Sequence, residues 1–252
     1  MKKCVLIVFC LLIPVVVQAH FGMILPSSDI VSANDSKRLH LLLQFVHPFE
    51  GHYLNMERPQ GFGVVSRGQQ TDLLDTLRLK KQKGLNTWET EYPIKRPGDL
   101  LFFVSPVPYF EPAEDCYIVH YSKVVVGALG LELGWDEPIG LETEIIPLTR
   151  PYGLWSGNLF RGKVLLKGQP AAHCTVEIEY YNKGGEVQSP SDPYVTQVVK
   201  TDSQGIFSYA MPRAGWWGFA ALNTSERKIL RDGEEKSIEI GAVLWVKTID
   251  MP

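Results

Sequence analysis

"LHLLLQFVHPFEG", Leu39 to Gly51, decides the fold class. Leu41, Leu43, Phe45 and His47 fall on one side of a two-residue period; His40, Leu42 and Gln44 fall on the other. That is the spacing of a strand, since successive side chains of an extended chain point to opposite faces. Leu39 to Phe49 is therefore predicted as a strand, with Pro48 ending its regular part because proline has no N–H for the ladder. His47 then stands at a strand mouth, and Glu50, His52 and Met56 follow in the loop.

The same pattern recurs along the chain. Strands are predicted over residues 63–67, 87–94, 100–104, 117–129 and 142–148, with Pro97-Gly98, Pro106, Pro108 and Pro112 marking turns. Residues 69–83 fit either one helical turn or another hairpin. Proline and glycine concentrate in "PLTRPYGLWSGN", Pro147 to Asn158, and the pattern restarts after it over 159–166, 174–181, 194–200, 207–211, 217–222 and 237–248. "TDSQG", Thr201 to Gly205, and "KGQPAA", Lys167 to Ala172, are tight turns between these strands. The expectation is an all-β chain of two β-sandwiches, residues 20–150 and 158–252. Adjacent Trp216 and Trp217 must point to opposite faces, so at least one belongs to a core.

The first residues read as a secretory signal peptide, residues 1–19. Lys2 and Lys3 precede an apolar run from Cys4 to Val17, and Val17-Gln18-Ala19 supplies the small residues that a signal peptidase needs. No later stretch is long and apolar enough for a membrane helix. The expected product is exported and does not span the membrane. Formal net charge is −3 for the whole chain, and −5 once Lys2 and Lys3 leave. With no basic stripe to neutralise phosphates, nucleic acid is not an expected partner. Cys116 and Cys174 remain after cleavage; one disulfide or two buried thiols are both open.

No phosphate loop, Gly-x-Ser-x-Gly elbow or His-Glu-x-x-His helix is present, so the chain is not expected to be an enzyme. The histidines carry the chemistry instead. Cleavage after Ala19 makes His20 the first residue, with its α-amine beside its own ring. Amine nitrogen and Nδ1 can then chelate one ion together, once the amine loses a proton near its pKa of about 8. The plainer reading is that some residue must come first. His47 can be a core histidine with one hydrogen bond, but Glu50 and His52 nearby favour a site. "YFEPAEDCYIVHYSK", Tyr109 to Lys123, holds Glu111, Glu114 and Asp115 in a loop that reads as a solvated turn, then Cys116 and His120 on one strand face. Those two lie about 13 Å apart along a strand and cannot share one ion unless it bends. A buried strand histidine paired with a carboxylate is the ordinary alternative for His120. His40 and His173 read as structural or solvated.

"AHFGMILPS", "HPFEGHYLNMERPQGFGV", "YFEPAEDCYIVHYSKV", "GWDEPIGLETEIIPLTRPYGLWSGNLFRGKVLLKGQPA" and "TDSQGIFSYAMPRAGWWGFAAL" occur in this order across nearly the whole chain. In them the sequence resembles the periplasmic component encoded beside energy-coupling-factor nickel/cobalt transporters, within a domain-of-unknown-function family linked to nickel uptake. The second half also resembles the transthyretin-like or carboxypeptidase-regulatory-like sandwich. The resemblance implies a periplasmic accessory protein that hands Ni²⁺ or Co²⁺ to an inner-membrane transporter. It implies His20, His47 and His120 as metal ligands, with Glu50 and His52 beside them. By the Irving–Williams order the same donors hold Cu²⁺ more tightly. Two other readings follow from the same residues: an exported copper-dependent redox enzyme using the N-terminal histidine, and a structural or adhesive sandwich without metal.

Overall fold

The computed structural model describes residues 20–252; the expected signal peptide, residues 1–19, lies outside the described residues. The opening stretch forms the strand Arg38–His47. Phe21–Pro26 pairs antiparallel along one edge of it. Leu85–Pro93 pairs along the other edge and carries Arg78–Gln82 beyond it. His52–Leu54 folds back on its end. Strand alternation holds through Leu43, but Gln44, Val46 and His47 are then all buried. Here both faces are covered. Gln44 donates to the Tyr181 hydroxyl at 3.1 Å, and the Phe45 ring meets Tyr109 at 5.4 Å.

The chain is all-β, as the alternation implies, and its layers are sandwich-like. The largest layer is an 11-stranded sheet. Its middle is a parallel ladder in which Cys116–Ala128 runs beside Ile238–Ile249, from Tyr117 opposite Ile238 to Val124 opposite Trp245. Residues 20–150 and 158–252 thus both contribute strands to one continuous sheet. The five-stranded layer holding Arg38–His47 packs on one face of this sheet. A four-stranded layer, Thr143–Pro147, Leu159–Leu166, Gln169–Pro170 and Ile206–Ala210, accounts for the other core.

Ile238–Ile249 shows why two cores form. Val243 and Trp245 enter the first core with Leu41, Leu43, Phe102 and Val124. Ala242, Leu244 and Val246 enter the second with Ile178, Phe160, Val164 and Phe219. A strand buried on both faces must be apolar at nearly every position, and "IGAVLWV", Ile240 to Val246, is. The two tryptophans divide as their adjacency requires: Trp217 belongs to the second core, and Trp216 packs against the first.

The turns follow local chemistry. In "TDSQG" the Asp202 carboxylate accepts from the Gln204 and Ile206 N–H groups, and Gly205 takes φ +75°. Residues 69–83 resolve into the strand Gln69–Asp72, a 3₁₀ turn Leu74–Thr76 and the strand Arg78–Gln82. Cys116 and Cys174 are both buried free thiols. One buried ion pair, Lys123 to Glu144 at 3.1 Å, ties the central sheet to the Ile139–Gly140 loop, whose N–H groups also donate to Glu144. Burial pushes the Lys123 ammonium pKa down, and Glu144 opposes that shift.

Gly241 sits directly opposite His120 in the parallel ladder. A Cβ there would lie 2.3 Å from the His120 ring. Gly241→Ala should therefore destabilise the fold by about 1–3 kcal/mol through overpacking. Urea denaturation measures this, and an unchanged midpoint would contradict the packing.

Candidate functional site

The antiparallel ladder that ends at Phe21 and Val46 places His20 beside His47 at its next step. Their ring centroids are 4.4 Å apart. On the other side of the same strand end, His47 pairs with His52. Directly opposed residues on neighbouring strands share a face, so His20, His47 and His52 form one row across three strand segments. His20 and His47 are buried; His52 is exposed at the rim. His47, His52, Gly51, Tyr53, Leu54, Lys83 and Leu85 line an open depression of about 450 Å³. Glu50 is exposed on the turn between His47 and His52, a turn closed by the Gly51 N–H donating to the His47 carbonyl at 3.0 Å.

His20 is held on three sides. Phe45 stacks on it at 5.6 Å, and Tyr109 lies 5.7 Å away. Its Nε2 meets Glu111 Oε2 at 3.0 Å, with both side chains largely buried. A carboxylate only accepts, so the neutral ring carries its proton on Nε2. The lone pair then belongs to Nδ1, the nitrogen nearer the residue's own main chain. Metal-binding histidines are commonly oriented this way, by a carboxylate on the far nitrogen.

Glu111 corrects the reading of the acidic loop as a solvated turn. Glu114 and Asp115 are exposed, but Glu111 turns inward. It lies opposite Cys116 in the short hairpin Tyr109–Glu111 with Cys116–Ala128. Its one sequence signal is two-residue alternation with Tyr109, which also faces His20; nothing in the sequence tells which strand that hairpin would meet.

His120 forms a separate centre. Its ring lies against Gly241, and Nε2 is 3.3 Å from Glu239 Oε1. Nδ1 is buried without a hydrogen-bond partner among the described residues. With Glu239 on Nε2, an ion would meet His120 at the buried Nδ1 or would have to displace Glu239. His120 lines a mostly apolar pocket of about 190 Å³ whose wall also includes Phe45, Tyr109 and Ile118. Among the described residues no three His, Cys, Asp or Glu side chains are already arranged to hold a metal ion. His20, His47 and His52 share a row; His120 and Glu50 do not join it. His40 pairs with Glu89 at 3.2 Å on the far side of the layer, and His173 sits in a turn at φ +57°.

The surroundings are acidic. Burial, then repulsion from Glu239, raises the Glu177 pKa to about 7. Burial also raises Glu179 to about 7, against the hydrogen bond from Thr196 and the backbone bond from Phe49. Burial and the Glu114 carboxylate push the Cys116 thiol up to about 11, so it stays protonated and is a poor ligand at neutral pH.

Residues 17–225 match the domain of unknown function DUF4198. The chain belongs to the DUF4198 family. No curated protein matches this DUF4198 chain in sequence. Among solved structures it is similar to trypsin-activated alpha-2-macroglobulin from Escherichia coli at 9% identity and TM-score 0.28, covering 90% of this chain and 16% of that one. It is also similar to a marsupial T cell receptor, at 8% identity and TM-score 0.23, covering 93% and 72%. The D00-D0 domain of intimin is matched at 10% identity and TM-score 0.22, covering 91% and 100%. The chain spans about a sixth of the macroglobulin's length, and likeness of this extent says nothing about function. Among the described residues, no helix is long and apolar enough to cross a membrane.

Glu179 gives the DUF4198 chain a defined pH response. Its carboxyl is harder to ionise folded than unfolded, so its contribution to stability is greatest below the ordinary carboxylate range and is lost as pH rises through about 7. Glu179→Gln should remove that loss. The variant should gain on the wild type by roughly 2.5 kcal/mol between pH 5 and pH 8. Thermal unfolding across that range tests it; parallel curves for the two proteins would rule it out.

Proposed function

We propose that this DUF4198 protein is a periplasmic metal-binding accessory that takes up Ni²⁺ or Co²⁺ at His20 and His47 and passes it to an inner-membrane transporter. The observation that carries the reading is the His20–Glu111 contact beside the His47 ring. It orients His20 so that Nδ1 and the α-amine exposed by cleavage after Ala19 can act as one chelating pair, with the His47 imidazole as the third nitrogen. His52 at the rim and Glu50 on the turn serve as capture groups for an ion entering the depression. His120, held by Glu239 through Nε2, joins only through its buried Nδ1 or by releasing that carboxylate. A three-nitrogen set open on one side suits a carrier, because a closed four-ligand cage would not release its cargo. The carboxylates Glu111, Glu114, Glu177 and Glu239 give the region a field that favours cations.

The pair of imidazoles beside an amine supports a second reading, an exported copper-dependent redox enzyme, since Cu²⁺ binds such donors more tightly than Ni²⁺. Substrate-linked turnover with copper and a reductant would favour it; binding and release without turnover favours the carrier.

Titration of the exported, cleaved protein with Ni²⁺, Co²⁺, Cu²⁺ and Zn²⁺ tests the carrier reading. One residue added before His20 removes the amine from chelation range and should weaken Ni²⁺ binding at least about tenfold; His47→Ala should do the same. Binding should also weaken as pH falls through the histidine range, because protons compete for the same nitrogens. If both variants bind like the parent, this site is not the metal site.

A further inference from the structure

The turn that follows His47 is held by the other half of the chain. Three consecutive backbone groups of the turn are bonded to residues 179–182. The Pro48 carbonyl accepts from the Asn182 N–H at 3.1 Å. The Phe49 N–H donates to Glu179 Oε2 at 3.2 Å, and the Phe49 carbonyl accepts from Asn182 Nδ2 at 3.1 Å. Asn182 is fixed in turn, since its amide donates to the Val187 carbonyl at 2.9 Å and accepts from the Val187 N–H at 3.1 Å. Glu179 accepts from Thr196 Oγ1. Tyr181, between them, bonds Gln44 and Tyr53 on the strands that flank the turn. Asn182 and Glu179 are almost wholly buried. Unmet polar groups are costly at such depth, so each of these bonds resists loss.

We infer that Asn182 and Glu179 are positioning residues for the metal site, through the His47 turn, so that the C-terminal half is part of the site and not only its support. This rests on the proposed metal-binding function. The inference concerns geometry: with Pro48 and Phe49 clamped, the His47 backbone has one orientation relative to His20. Released, the turn can shift and carry the strand end at His47 with it, while the ladder further back stays paired.

Asn182→Asp removes the side-chain donor. The carboxylate still accepts from Val187 N–H and leaves the main-chain bond to Pro48, but it cannot donate to the Phe49 or Val187 carbonyl. Glu179→Ala removes the other bond; Glu179→Gln restores an acceptor for the Phe49 N–H. Ni²⁺ and Cu²⁺ titrations and the Cu²⁺ electron paramagnetic resonance spectrum are compared with the wild type and with His47→Ala. Asn182→Asp and Glu179→Ala should each weaken binding by about tenfold to a hundredfold, the usual effect of losing an orienting partner. Both should change the copper spectrum, and Glu179→Gln should recover both properties. Amide exchange at Gly51 without metal should quicken in the two weakened variants. If the wild type binds through His47 while Asn182→Asp and Glu179→Ala keep its affinity and spectrum, the positioning role is wrong and the metal reading stands. If the wild type binds nothing, or His47→Ala binds equally well, the metal reading falls and this inference falls with it.

Discussion

The parallel ladder between Tyr117–Val124 and Ile238–Trp245 is the constraint on which the rest of the molecule depends. Parallel neighbours cannot be joined by a tight turn, so the intervening chain must leave the sheet and return. It returns as the four-stranded layer and the strands that complete the second core. Because the ladder lies in the middle of the sheet, its strands are covered on both faces and admit polar groups only where those groups find partners. Lys123 finds Glu144, Ser122 finds the Gly22 carbonyl, and His120 finds Glu239 across a space that Gly241 leaves open.

The strands were legible because their alternation and turns are local properties. Leu159–Leu166 coincides with its expected bounds, and most other strands differ by one to three residues at an end. Residues 69–83 did not read clearly because Gln69–Asp72 and Arg78–Gln82 are exposed edge strands, with no buried face to impose a period. Pairing was not legible. Nothing in residues 116–128 announces a partner more than a hundred residues later, and the restart after Pro147–Asn158 gave no sign that one sheet would run through both halves.

The candidate site divides in the same way. His20, His47 and His52 could be named from ligand chemistry and strand period, and the register places them in one row. Their second layer was hidden. Glu111 looks like one of several acids in a loop, and Asn182 looks like one more turn residue. Each acquires its role from a contact made across long stretches of chain, Glu111 with His20 and Asn182 with Phe49. Glu177 and Glu179 carry no signal in the sequence that sets them apart from other acids, yet burial raises the pKa of both to about 7.

The Gly22 carbonyl accepts from both Ser122 Oγ, at 2.8 Å, and the Trp245 indole N–H, at 2.9 Å. One of these donors lies near the middle of the chain and the other within its last eight residues. The first described strand is therefore fastened by nearly the last, and His20 stands two residues from that fastening. A chain emerging amino end first has its histidines long before it has the wall that seats them. The seat of this first described strand therefore cannot form before the chain has reached Trp245.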